Sequence, residues 1–202
     1  EACRVAFGAG WNSVKLYFML GLPTETDEDL LGISQIARDV LRCFWQNAKN
    51  KARGVRVSVS VATLVPKAQT PFQWLGQVPR AEVLRRQKLL MDSLRIKNVT
   101  FSLHDYEVSF LEAVLARGDR RLAAVIERAY RLGCKLDGWD EEFKPALWAQ
   151  AFADCGIDPA FYANRALGAD ETLPWDHISS GVRKSYLRGE YDRAMQGLAT
   201  PD

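Results

Sequence analysis

The hydrophobic pattern of the first 105 residues alternates between two periods, which predicts strands and helices in turn. Three short segments are continuously apolar or apolar at every second position, as in the strands of a parallel sheet. Two longer segments repeat apolar residues at helical spacing, and Thr26 with three following acidic residues marks the start of the first. Strand, helix and strand in this order form a right-handed parallel unit. The predicted strands are Val14–Leu20, Val55–Ala62 and Val99–Leu103, and the predicted helices are 26–46 and 80–95.

Beyond residue 105 the pattern is helical. Ser109 and Glu112 have the spacing of a capping box, which predicts that a helix starts there. Glycines and prolines divide the remainder into further segments. We therefore divide the chain into a βα part, residues 1–105, and a helical extension, residues 106–202. The further predicted helices are Asp119–Leu132, Glu141–Cys155, Pro159–Arg165 and 182–196.

Side-chain alternation assigns the faces of the predicted strands. One face of the second strand is all valine, and the other is small or polar. In a parallel barrel the apolar face packs against helices, and the inner face is free to be polar near a ligand. By the same alternation Lys15, Tyr17 and Met19 share a face, although Lys15 also fits a solvated position at the bottom of its strand. The predicted cavity-facing residues are Lys15, Tyr17, Ser58 and Ser60.

Two loops follow the carboxyl ends of the first two strands, where ligands bind in βα folds. The turn Gly21–Glu25 combines a glycine that permits close backbone approach, a stiffening proline and a carboxylate at a helix N-terminus. Glu25 would accept hydrogen bonds from a ligand, or would only cap the helix. The second loop continues to Phe72 and Trp74, which would clamp a planar ring or plug the loop onto a barrel rim. The candidate binding residues are Gly21, Leu22, Pro23, Thr24, Glu25, Val65, Pro66 and Lys67.

Two polar motifs in the extension have a structural as well as a functional interpretation. The run Arg117–Arg121, Arg-Gly-Asp-Arg-Arg, is more typical of a helix junction with a solvated basic edge than of an adhesion motif. Asp176 and His177 could form a catalytic pair, but the sequence places no nucleophile beside them. We therefore favour a structural hydrogen bond for this pair.

Composition narrows the class of protein. The chain has 202 residues, of which 48% are hydrophobic, so it can form a real core. A net charge of +2 does not indicate a strongly basic nucleic-acid binder. The longest apolar run near the start is too short to span a bilayer, and we expect a cytoplasmic protein with no membrane partner. The four cysteines are widely separated and form no metal motif, so we expect reduced thiols: Cys3, Cys43, Cys134 and Cys155.

Several segments resemble the radical SAM superfamily. The run YFMLGLPTETDEDL, Tyr17–Leu30, resembles the turn after the fifth strand of the radical SAM barrel. The run VSVSVATLVPKAQTPFQW, Val57–Trp74, resembles the sixth strand and the loop after it. Three blocks of the extension are similar to a bacterial branch whose longer members carry an N-terminal cobalamin-binding-type domain. These blocks are Ser102–Gly133, Asp137–Phe143 and Leu173–Val182.

This resemblance covers nearly the whole chain and implies a fold and a chemistry. The fold would be the last strands of a partial (βα)6 TIM-like barrel, followed by a mainly helical extension. The turn Gly21–Glu25 and the rim Val65–Lys67 would border the adenosine part of S-adenosylmethionine (SAM), with the four cavity-facing residues inside. The family cleaves SAM reductively with a [4Fe–4S] cluster, and the resulting 5′-deoxyadenosyl radical abstracts hydrogen from a substrate. Cobalamin is a further cofactor implied for the full-length parent.

The chain departs from the family pattern because it contains neither the CxxxCxxC cluster loop nor the first four strands. We therefore expect both ends to be cut, the cluster ligands to lie outside the chain, and the segment alone to be inactive. The missing N-terminal half of the barrel would be a partner, and the unknown substrate includes RNA among its candidates. One alternative is a non-catalytic RNA- or protein-binding module, and another is a structural partner that completes the barrel of a different chain. The binding module would use Trp74, Arg117, Arg120 and Arg121.

Overall fold

A computed structural model describes residues 1–200, so the last two residues of the predicted extension, 106–202, lie outside the described part. The chain forms two compact units. The first comprises Glu1–Leu64 and Arg80–His104, and the second comprises Val65–Pro79 and the chain from Asp105 onward. The loop that follows the second strand therefore belongs to the second unit.

The first unit is built on a parallel sheet of three strands in the order β1-β2-β3. Lys15 of β1 is in register with Ser58 of β2, which is in register with Thr100 of β3. Each predicted strand is present within one residue of its predicted ends, and the mixed α/β class is confirmed. The elements are α1 (Ala2–Gly8), β1 (Ser13–Leu20), α2 (Asp27–Asn47), β2 (Arg56–Thr63), α3 (Arg80–Ser93) and β3 (Val99–Leu103).

Helix α2 is stabilised by a capping box at its N-terminus and by an apolar face along its length. Thr26 Oγ1 accepts from the Asp29 amide at 3.3 Å, and Asp29 Oδ2 accepts from the Thr26 amide at 2.9 Å, as in a capping box. The helix packs against both α1 and α3. Its predicted apolar face is buried at Leu30, Ile33, Ala37, Val40 and Phe44.

Helix α1 is absent from the sequence-based prediction. It has seven residues, too few to give a clear periodic signal. Its Phe7 is fully buried and meets the Phe44 ring edge-on, with 5.3 Å between the ring centroids. This contact with α2 stabilises a helix that local propensity alone would not.

The second unit is helical over its described residues. One core cluster includes α4, α5, α6 and α7, and a smaller cluster comprises Trp74, Leu173, Trp175 and Leu187. Within residues 1–200 no helix combines the length and hydrophobicity that a membrane span requires. The elements are a 3₁₀ turn (Pro71–Trp74), α4 (Tyr106–Arg117), α5 (Leu122–Leu132), α6 (Pro145–Asp154), α7 (Pro159–Ala163) and α8 (Lys184–Met195).

The predicted start of α4 is wrong. The carboxylate of Asp105 accepts from the amides of Glu107 and Val108, and this cap starts the helix at Tyr106. Ser109 lies inside the first turn, where its hydroxyl donates to the Asp105 carbonyl oxygen at 3.0 Å. Asp105 therefore occupies the capping role that the Ser109–Glu112 spacing suggested for Ser109.

Candidate functional site

The sheet of the first unit is covered on one face and open on the other. Val57, Val59 and Val61 are at most 2% exposed, and α2 packs against β2. On the opposite face Tyr17 is 71% exposed and Met19 is 43% exposed. The predicted division of the strand residues between two faces is confirmed. Parallel sheets are ordinarily covered on both faces, so the open face is a candidate binding surface.

Hydroxyl groups line this open face in rows. Ser58 Oγ lies 3.1 Å from Thr100 Oγ1, and Ser102 Oγ donates to Ser60 Oγ at 3.4 Å. The Lys15 ammonium lies 4.9 Å from the centroid of the Tyr17 ring, which is a cation–π contact. The predicted cavity-facing residues thus share one surface that can hydrogen-bond a polar ligand and stack against a planar one.

The turn after β1 is closed by hydrogen bonds among its own residues. Gly21 has φ +89° and Thr24 has φ +64°, both in the left-handed region. The Gly21 amide donates to Glu25 Oε2 at 2.8 Å, and the Glu25 amide donates to the Leu22 carbonyl oxygen at 3.3 Å. The predicted binding residues Gly21–Glu25 therefore form one compact turn at the carboxyl end of β1.

Glu25 is held by an arginine that the sequence reasoning missed. The Arg86 guanidinium, on α3, pairs with Glu25, and the two side chains are only 15% and 6% exposed. The carboxylate therefore shapes the turn, while the cap of α2 comes from Thr26 and Asp29. The two residues are 61 positions apart, and no local spacing in the sequence links them.

A second arginine extends this charge network at the surface. Arg85 pairs with Asp27 at the start of α2, and Arg85 and Arg86 both pair with Glu82. Hydrogen bonds from these two arginines lower the pKa of Glu82 to about 2. The turn after β1 and the N-terminus of α2 are thus tied to α3 by adjacent arginines.

The other predicted loop lies in the second unit. Val65 packs against the larger helical cluster, Pro66 is buried, and the half-exposed Lys67 pairs with Glu112. Trp74 is 3% exposed and meets Tyr191 edge-on, so it plugs the loop into its own unit. The predicted binding set is therefore divided, with Gly21–Glu25 in the first unit and Val65–Lys67 in the second.

The interpretation of Arg117 as part of a solvated edge is wrong. Arg117 is 3% exposed, and its guanidinium donates to the carbonyl oxygens of Tyr162, Ala163 and Arg165. Burial lowers the pKa of Arg117 to about 10. Of the residues assigned to a binding module, Arg120 and Arg121 are exposed, whereas Trp74 and Arg117 are buried.

The Asp-His pair has a different set of contacts from the one considered in the sequence. Asp176 Oδ2 accepts from the Leu173 amide and from Lys184 Nζ, each at 2.8 Å. The carboxylate therefore links the segment before α8 to the first turn of that helix. This is the structural role that the absence of a neighbouring nucleophile favoured, with partners other than His177.

The described residues hold no group of three or more His, Cys, Asp or Glu side chains arranged to bind a metal ion. The four cysteines are free thiols, two in each unit. Burial raises the pKa of the Cys134 thiol.

Comparison with known proteins gives one match of moderate similarity. An uncharacterized protein, MJ0966, from Methanocaldococcus jannaschii is 28% identical over 129 residues, which is 63% of this chain. The aligned segment covers 26% of that protein, so the chain spans about a quarter of its relative's length. No family model matches the chain. No solved structure matches it either.

Proposed function

We propose that the chain is the C-terminal part of a radical SAM enzyme and supplies the last strands of a partial (βα)6 TIM-like barrel. The observation that supports this is the one-sided parallel sheet. In a barrel wall one face of each strand packs on helices and the other lines the interior. The valines of β2 are buried and its hydroxyl residues lie on the open face, which is the division that a barrel strand requires. The helical residues from 106 onward would be an extension that caps the barrel or presents a substrate.

The open face and the turn after β1 fit SAM as a ligand. Leu22 and Thr24 are exposed in this turn, whereas Gly21 is buried and its positive φ sets the conformation of the turn. Ser60 and Tyr17 are in register on neighbouring strands and offer a hydroxyl group and an aromatic face. SAM, when bound, would supply the 5′-deoxyadenosyl radical. The residues of this chain would bind its adenosine part, orient it and exclude water.

Glu25 and Arg86 act in this proposal as positioning residues. Their pair fixes the turn from inside, because the Glu25 carboxylate accepts from both the Gly21 amide and the Arg86 guanidinium. The backbone of Gly21–Thr24 is thereby held in the conformation that would border the ligand.

The residues of this chain do not fit the [4Fe–4S] cluster. Within residues 1–200 no three cysteines converge, and two of the four lie in each unit. We therefore assign the cluster to the missing N-terminal half of the barrel, the proposed partner, and derive no step through it here. Cobalamin likewise has no assigned residue. Free cysteines agree with a cytoplasmic location, which we also propose.

The test uses the product of the complete reading frame. We expect it to contain a CxxxCxxC loop and, after anaerobic reconstitution with iron and sulfide, to release 5′-deoxyadenosine from SAM under reduction. Tyr17→Ala should raise the KM for SAM about tenfold, because it removes one stacking contact worth roughly 1 to 3 kcal/mol. Absence of the cysteine loop, or of 5′-deoxyadenosine, would overturn the proposal.

Tyr130→Ala is the matched control for that variant. Tyr130 is 61% exposed, and the Lys135 ammonium lies 5.2 Å from its ring centroid, so its setting resembles that of Tyr17 beside Lys15. Tyr130 lies on α5 of the second unit. We expect Tyr130→Ala to leave the KM for SAM unchanged, and equal effects of the two variants would argue against the open face as the SAM surface.

A further inference from the structure

The amino ends of the three parallel strands carry a concentration of cations. No aspartate or glutamate occurs in the sequence between Asp39 and Glu82, whereas that stretch contains seven lysines and arginines. Four of these seven lie at the start of β2 or in the connection before it, and a fifth cation lies just before β3. Acidic residues elsewhere in the chain balance them, so the net charge of +2 does not reveal this surface. We name these five exposed cations the basic edge: Lys49, Lys51, Arg53, Arg56 and Lys97.

Backbone hydrogen bonds bring the basic edge together within the first unit. The Arg56 amide donates to the Asn12 carbonyl oxygen at 2.9 Å, and the Val57 amide donates to the Asn98 carbonyl oxygen at 3.0 Å. The segments that precede β1, β2 and β3 therefore lie side by side. This edge of the sheet is opposite to the Gly21–Glu25 turn, which follows the carboxyl end of β1.

The cations of the basic edge have no acidic partner in the part of the chain that the structure describes. None of their five side chains makes a hydrogen bond or an ion pair within residues 1–200. The neighbouring carboxylate of Asp92 pairs with Arg95 at 3.3 Å. Helix dipoles do not account for these cations, because the effect is confined to the last turn of a helix and the last turns of α2 and α3 contain no basic residue. Like charges at one edge repel one another, and a bound polyanion would relieve that repulsion.

Two exposed tryptophans flank the basic edge. Trp11 is 68% exposed and comes directly before Asn12, whose carbonyl oxygen accepts from the Arg56 amide. Trp45 is 45% exposed and lies in the last turn of α2, four residues before Lys49. Aromatic rings beside a row of cations are the groups that bind single-stranded nucleic acids, because bases stack on the rings while the cations contact the phosphates.

We propose that the basic edge binds a single-stranded nucleic acid, with its phosphates on the lysines and arginines and a base stacked on Trp11. Charge complementarity requires a polyanion, and the tryptophans favour unpaired bases over a duplex, whose bases are already stacked. A lipid surface is disfavoured, because the residues between the cations of the connection offer no large apolar side chain for insertion: Asn50, Ala52 and Gly54. The inference does not rest on the SAM proposal, since the two surfaces lie at opposite ends of the strands and its test involves no SAM chemistry.

The test is a titration of the chain with fluorescent single strands of about twelve nucleotides, one RNA and one DNA of the same sequence. Four phosphate contacts give a slope of about −2.8 for log affinity against log salt, so the affinity should fall about fiftyfold between 50 and 200 mM salt. RNA and DNA strands share phosphates and stacking bases, and their relative affinity assigns the site to one of them. Absence of binding at 50 mM salt would overturn the proposal. Polyglutamate, or vesicles containing phosphatidylserine, that displaced the labelled strand as well as unlabelled RNA does would also overturn it.

A triple variant locates the site in the connection before β2, and a second triple variant is its matched control. The first should make the salt slope shallower by about 2 and weaken binding at least tenfold at 50 mM salt. The control removes the same net charge at exposed cations that also have no side-chain partner within residues 1–200, and it should leave the slope unchanged. Equal losses in the two variants would overturn the proposal. The first variant combines Lys49→Gln, Lys51→Gln and Arg53→Gln, and the control combines Arg38→Gln, Lys88→Gln and Arg183→Gln.

Trp11→Ala separates base stacking from charge. It should weaken binding about tenfold and leave the salt slope unchanged, because it removes a stacking surface but no cation. Trp139→Ala is the matched control, since Trp139 is 63% exposed and lies in the second unit. A polyanion held by charge alone would bind the two tryptophan variants equally, and that result would overturn the assignment of a single-stranded nucleic acid.

Discussion

The pair of adjacent arginines on α3 allows a sharp test of what holds the turn after β1. Arg86→Gln removes the guanidinium that faces Glu25 and leaves that carboxylate, 6% exposed, with the Gly21 amide as a neutral partner. The variant should therefore destabilise the first unit and weaken the contacts that hold the Gly21–Glu25 turn in place. Arg85→Gln is the matched control, since Arg85 is the neighbouring residue and also pairs with Glu82.

The magnitude follows from burial. Removing one partner of a fully buried ion pair costs about 3 to 5 kcal/mol, because the other charge is left without compensation. Arg86 is 15% exposed, so water will reach the site in part, and we expect a loss of about 2 to 3 kcal/mol in the free energy of unfolding. The Arg85 side chain is 49% exposed, and solvent screening should make its substitution much less costly.

The measurement is urea unfolding at pH 7 followed by circular dichroism. The variants are the single substitutions Arg85→Gln, Arg86→Gln and Glu25→Gln, and Arg86→Gln combined with Glu25→Gln. The double variant should recover at least half of the loss, because it replaces the isolated charge by a neutral pair. The reasoning is refuted if Arg85→Gln and Arg86→Gln lower the unfolding free energy equally. It is also refuted if the double variant loses as much unfolding free energy as Arg86→Gln and Glu25→Gln lose when added together.

Two further predictions concern the second unit. A Cβ on Gly76 would lie 2.0 Å from the carbonyl oxygen of Asn164, so Gly76→Ala should cost about 3 kcal/mol. Gly189→Ala, with open space around the new methyl group in α8, should raise the free energy of unfolding by about 0.5 to 1 kcal/mol. If both glycine variants shift the urea midpoint in the same direction, this reasoning is contradicted. Hydrogen bonds from arginines lower the pKa of Asp119 and Glu171 to about 2, so the unfolded chain binds protons at these carboxylates more readily than the folded chain does. The urea midpoint should therefore stay constant above pH 5 and fall as the pH approaches 2. A midpoint that rises on acidification would contradict that sign.

The sheet and α2 could be predicted from the sequence because their signals are local. The alternation of β2 and the spacing from Thr26 to Asp29 each lie within a few residues of chain. The same local signals divided the strand residues between a buried and an open face, so Tyr17 and Ser60 were expected on one surface before their register was known.

The contacts that hold the turn after β1 and those that bury Arg117 could not be predicted because they join distant parts of the chain. Glu25 and Arg86 are 61 residues apart, and Arg117 reaches carbonyl oxygens 45 to 48 residues away. Arg117 lies in an Arg-Gly-Asp-Arg-Arg run, and its polar neighbours in the sequence suggest a surface position. Its burial is stabilised by carbonyl oxygens at the end of α7 and just beyond it, which accept its hydrogen bonds. Local spacing also gave the wrong cap for α4. Asp105 and Ser109 are both residue types that commonly cap helices, and Asp105 is the one that starts this helix.

The sheet itself gives a reason to prefer a barrel over an independent binding module as the setting of the first unit. In the order β1-β2-β3, the outer strands β1 and β3 each present one unpaired edge among the described strands. Exposed edges and an open apolar residue such as Met19 are liabilities for aggregation. The preceding strands of the proposed parent barrel would pair with the free edge of β1 and would also enclose the face that carries Tyr17 and Ser60. A separate binding module that uses only the second unit gives no account of these edges or of that face.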